Sequence, residues 1–130
     1  MLMAEAEWRS GEAARATARL ADMLSDDPYN LEGLLLLGRI LLDRSRTGDA
    51  RQAFQRVLRF DPAGIEPRYH LGVVAGEERR FREAIRWWRD LVERAPDHEL
   101  AERARRNIET AVSLARVFSV EAPAATAAEG

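Results

Sequence analysis

The chain has 130 residues, 46% of them hydrophobic and 32% charged, the balance of one globular domain. Twenty cations, all arginine, stand against 22 acids, and a net charge of −2 gives no electrostatic reason to expect nucleic acid or an anionic membrane as partner. With no cysteine, disulfides, thiolate metal sites and a cysteine nucleophile are excluded.

At the start of the chain Glu5 interrupts any apolar run of signal-peptide length, so no export signal is expected and the chain reads as cytoplasmic. A short leading helix is predicted over about residues 2–9, followed by a second that carries Ala16 and Leu20 and ends before Pro28. The greasiest stretch, Leu31 to Leu42, holds Glu32 and Arg39 and is far shorter than the roughly 20 residues of a membrane helix. It predicts a helix packed between neighbours, capped by Asn30.

A polar turn near residues 44–48 leads to a helix with Ala50, Ala53, Phe54, Val57 and Leu58 on one stripe. The pattern then recurs. Leu71, Gly72 and Ala75 mark a first helix, a turn follows at residues 77–80, and Phe81, Ala84, Ile85, Trp88, Leu91, Val92 and Ala95 step by three and four along a second. From Asp97, a second candidate cap, to about Phe118 one amphipathic helix is expected, with Leu100, Ala104, Ile108, Ala111, Val112 and Ala115 on its apolar side. Residues 119–130, rich in alanine with Pro123, read as a flexible tail.

Three classes of residue share one spacing. Pro28, Pro62 and Pro96 are 34 residues apart, and so are Ala16, Ala50 and Ala84, and Leu20, Phe54 and Trp88; Gly38 and Gly72 keep the same interval. Each period is a helix-turn-helix hairpin. Gly38 and Gly72 remove a side chain where the first helix crosses the second, Ala50 and Ala84 do the same from the facing helix, and Phe54 and Trp88 are expected to fill the wedge towards the next hairpin.

On these residues the chain resembles the tetratricopeptide repeat family, in short bacterial-type form: Leu37-Gly38, Ala50, Phe54 and Pro62 match its pattern in one unit, and Leu71-Gly72, Ala84, Trp88 and Pro96 in the next. Arg68 and Ala75 depart from it, standing where large apolar residues are usual. The resemblance implies an all-α, right-handed α-solenoid of stacked helix-turn-helix hairpins with a C-terminal capping helix. The repeat domain then covers residues 1–118, with repeats at about 1–28, 29–62 and 63–96 and the capping helix at 97–118.

Enzyme chemistry lacks an inventory. His70 and His98 lie on different helices, and there is no HExxH, nucleophile elbow, P-loop or GxGxxG, so neither catalysis nor a metal nor any other cofactor is expected. The resemblance implies instead that the first helices line a concave groove that binds a peptide or helical segment of a partner protein. The inward positions map onto Leu35, Arg39 and Leu42, then Tyr69, His70 and Val73, then Arg103 and Asn107 of the terminal helix. Tyr69 and Arg39 stand out, because neither belongs to the repeat's packing set and both residue types are common in binding hot spots. A chaperone-tail carboxylate clamp is not expected, since lysine is absent and the clamp positions read Leu36, Glu66 and His70.

Charge raises an alternative, self-association into a homo-oligomer. Residues 1–33 carry three arginines and seven acids, whereas residues 79–106 carry nine arginines and six acids. Neither direct membrane insertion nor nucleic acid fits either reading.

Overall fold

The computed structural model describes residues 2–121, with side chains for residues 11–118. Among these are six helices and no strand: α1 (Leu2–Asp26), α2 (Leu31–Asp43), α3 (Thr47–Phe60), α4 (Ile65–Glu77), α5 (Phe81–Arg94) and α6 (Glu99–Glu121). The chain divides after Gly64 into two units of three helices each.

The 34-residue interval governs the backbone as well as the side chains. Helices α1, α3 and α5 end at Asp26, Phe60 and Arg94, two residues before Pro28, Pro62 and Pro96, because a proline cannot continue the ladder and disfavours helix at the residue before it. The next amide repeats too: Asp27, Asp61 and Ala95 donate to the carbonyls of Met23, Val57 and Leu91 at 2.8–2.9 Å.

The turns inside the hairpins are Schellman motifs. Arg46 N–H donates to the Leu41 carbonyl at 2.9 Å and Ser45 N–H to that of Leu42 at 2.9 Å; one period later Arg80 donates to Ala75 at 2.8 Å and Arg79 to Gly76 at 3.1 Å. The left-handed residue of this motif is usually glycine, yet here it is Ser45 (φ 61°) and Arg79 (φ 62°). A Cβ in that conformation costs about 1–2 kcal/mol, partly offset by the greater unfolded-state freedom of glycine. Ser45→Gly is therefore expected to stabilise the chain by up to about 1 kcal/mol, read as a rise of about 3 °C in thermal midpoint.

In the first unit α2 and α3 form the hairpin, and Leu34, Leu41, Leu42, Ala50, Ala53, Phe54 and Val57 are buried with Leu20 of α1. Gly38 faces Phe54, where an added Cβ would lie 2.6 Å from Cε1 of the ring. In the second unit Gly72 faces Trp88 in the same way, with an added Cβ 2.5 Å from Cε2. The aromatic thus seats on the glycine of its own hairpin. Ala50 and Ala84 are fully buried.

Helix α6 covers the second hairpin with small residues. Ala101, Ala104 and Ala111 are buried in a core with Ala75, Phe81, Ala84, Ile85, Trp88 and Leu91, while Leu100, Ile108, Val112 and Ala115 pack at its edge. Alanine along this face lets two helices approach at the short end of the usual 8–10 Å.

Three expectations change. The first segment is one continuous helix, not a short helix and a second, because Gly11 alone among helix-forming Glu, Ala and Arg costs only about 1 kcal/mol and no proline intervenes. Met3, Ala4, Glu7 and Trp8 lie within it, their side chains outside the described residues. His98, not Asp97, caps α6: its Nδ1 accepts the Leu100 N–H at 3.0 Å. The helix also runs at least three residues past Phe118, to Glu121; residues 122–130 of the expected tail lie outside the described residues.

Candidate partner-binding site

Helix α2 begins as its cap dictates, with Asn30 Oδ1 accepting the Gly33 N–H at 2.9 Å, and the seating of Gly38 on Phe54 fixes the phase of the leucine run that follows. That phase separates the leucines. Leu34, Leu41 and Leu42 are buried, Leu35 and Leu37 are half-buried, and Leu36 is 46% exposed. Leu42, a candidate contact, is only 7% exposed and belongs to the core of its unit. Its carbonyl sits in the Schellman turn, which draws the last turn of α2 down onto α3. Arg39 is exposed, so the free face of α2 carries Leu36 and Arg39 with Leu35 at its margin.

On the second unit, structure brings several candidates together. The Asn107 amide of α6 donates to the Tyr69 hydroxyl of α4 at 3.2 Å, and the Tyr69 and His70 rings meet edge to face at 5.5 Å. Tyr69 and Val73 are half-buried against the core. Below them, Trp88 Nε1–H donates to the Tyr69 carbonyl at 3.1 Å, so the repeat's packing residue also fixes the backbone of the candidate contact. Arg103 is exposed on α6. The result is a rigid phenol with a polar neighbour on either side, able to present an aromatic face and to exchange hydrogen bonds.

Sequence reasoning missed a buried ion pair. Arg68 is only 6% exposed, and its Nε donates to Asp90 Oδ2 at 2.8 Å; Arg94 also reaches Asp90, at 3.1 Å. Burial pushes the Asp90 carboxyl upward, but the hydrogen bonds from Arg68 and Arg94 and their charges outweigh it, and the pKa lies below the ordinary carboxylate value. The oddity of arginine at an apolar repeat position was the available signal. A second feature is a cleft of about 860 Å³ between α5 and α6 with arginines at its rim.

Among the described residues no three His, Asp or Glu side chains gather into a metal site, and no described helix is long and apolar enough to cross a membrane.

The comparisons agree with this architecture. The chain is 28% identical over 88% of its length to the cytochrome c-type biogenesis protein CycH of Pseudomonas aeruginosa, covering 38% of that protein. It is 28% identical over 73% of its length to the human protein O-mannosyl-transferase TMTC3, covering 10% of it. The chain thus spans well under half of these relatives. Among solved structures, MamA AMB-1 superposes with a TM-score of 0.62 at 23% identity, over 88% of this chain and 66% of that one, a likeness of fold. A family model described as tetratricopeptide repeat matches residues 7–75, more than half of the chain. With its glycine-on-aromatic hairpins, 34-residue period and covering helix, the chain belongs to the tetratricopeptide repeat family, whose fold mediates protein–protein interaction.

Proposed function

We propose that this chain is a non-enzymatic adaptor that holds a peptide or helical segment of another protein against the free faces of its first helices. In the first unit these are Leu35, Leu36 and Arg39, and in the second Tyr69, His70 and Val73, with Arg103 and Asn107 beside them. The observation that carries the reading is the Tyr69 arrangement. Its ring is held by Asn107 and its backbone by Trp88, so an aromatic contact is ordered in advance and loses little entropy on binding.

With Leu42 committed to the core, the apolar anchors are Leu36, part of Leu35 and the Tyr69 ring. Each fully buried anchor contributes about 1.5–3 kcal/mol before ordering costs, which suits a micromolar rather than a nanomolar partner. The test is affinity capture from native lysate with wild type, Leu36→Glu and Tyr69→Ala. Loss of the same band in both variants, at unchanged helicity, is the expected result; identical bands in all three overturn the reading.

A further inference from the structure

The cleft on the second unit is built for a particular kind of guest. Its floor is apolar, formed by Phe81, Ile85, Ala115 and Phe118, with the two phenyl rings 5.6 Å apart. Its rim carries Arg79, Arg80, Arg82, Arg86 and Arg89 against the single acid Glu83. Arg79 lies over the Phe118 ring at 4.9 Å, and Arg80 meets Glu78 and Glu83 only at 4.0 Å, the outer limit of an ion pair. Arg86 and Arg89, one helical turn apart and exposed, make no ion pair among the described residues. An apolar floor beside the two unpaired guanidinium groups of Arg86 and Arg89 fits a protruding apolar group framed by acids.

The first unit presents such a group. Tyr29 and Phe60 meet edge to face at 4.9 Å and remain 68% and 45% exposed, and Met23 in the last turn of α1 is exposed as well. Asp26, Asp27 and Asp61, all exposed, flank the two rings in sequence, and the Tyr29 N–H donates to Asp27 Oδ1 at 3.3 Å. Repeat packing does not demand these aromatics. One period on, the equivalent positions are Ala63 and Arg94. A paired aromatic corner left open to water is costly in a monomer and typical of a contact surface.

We infer that a second copy of this chain seats its Tyr29–Phe60 corner in the arginine-rimmed cleft of the first, the aspartates pairing with Arg86 and Arg89. The two surfaces differ, so the contact is heterologous, and each copy offers one corner and one cleft. The first-helix faces of the proposed adaptor site are not used, so the two proposals stand or fall separately.

Sedimentation velocity tests the inference. Wild type is expected to associate with rising concentration at low salt, and more than about tenfold more weakly near 1 M salt, where the screening length falls to about 3 Å. Two variants at exposed positions, Asp26→Arg/Tyr29→Arg and Arg86→Glu/Arg89→Glu, should each be monomeric with wild-type helicity. The first keeps an intact cleft and the second an intact corner, so an equimolar mixture should form a one-to-one dimer and nothing larger. A wild-type chain that stays monomeric at low salt, or variants whose mixture fails to associate, overturns the inference and leaves the cleft to an acidic partner of another kind.

Discussion

Gly72→Ala is expected to destabilise the second unit by about 2 kcal/mol. Two effects oppose each other. Alanine is the better helix former by about 1 kcal/mol, which would favour the variant. Its methyl, however, would stand 2.5 Å from Cε2 of Trp88, and the indole cannot step aside, being buried in the core and hydrogen-bonded to the Tyr69 carbonyl. Overpacking of this kind costs about 1–3 kcal/mol, and the lost hydrogen bond adds about 1 more, so the clash wins. Urea denaturation should show the lower midpoint, and adding Trp88→Leu to make room should recover part of the loss, the non-additivity that marks residues in contact. Gly48→Ala is the control: nothing lies within 4 Å of an added Cβ there, so propensity acts alone and the variant should be slightly more stable. A midpoint unmoved by Gly72→Ala would mean that α4 and α5 do not approach as closely as described.

Asp90→Ala is expected to cost about 2 kcal/mol, and Arg68→Leu much less. The asymmetry follows from burial. Removing the carboxylate strands a guanidinium that is almost wholly out of water, whereas leucine at position 68 fills an apolar place and leaves behind a carboxylate that is 38% exposed and still paired with Arg94. A fully buried pair would lose 3–5 kcal/mol, and solvent access to Asp90 reduces this. The pair also imposes a pH dependence of known sign. Because the folded-state pKa of Asp90 is lowered, the unfolded chain binds more protons in the acidic range; the stabilisation is complete above the ordinary carboxylate pKa and is lost as pH falls through the folded value. Stability measured against pH should therefore lose part of its acid slope in Arg68→Leu. An unchanged slope would remove the ion pair from the account of acid sensitivity.

What the chain's letters disclose depends on how often a role is repeated. Pro28, Pro62 and Pro96 end three helices at the same interval, and Gly38 and Gly72 answer Phe54 and Trp88 twice, so the family and the hairpins are legible without coordinates. Roles that occur once are not. The leucine run of α2 advances about 100° per residue, and the seating of Gly38 on Phe54 turns Leu36 out and Leu42 in. Arg68 finds its acid 22 residues away on another helix, a distance that no periodicity encodes. The continuous α1 was concealed by Ser10-Gly11, which looks like a turn yet is cheap enough for a helix to pass through. Tyr29 and Phe60 share no repeat position and meet only because two helix ends do.

The absence of lysine from the chain has a consequence for the cleft between α5 and α6. The planar guanidinium ion offers no amine to acetylating enzymes. Whatever docks there can be dislodged by ionic strength, but not by acylating the guanidinium groups of the receptor.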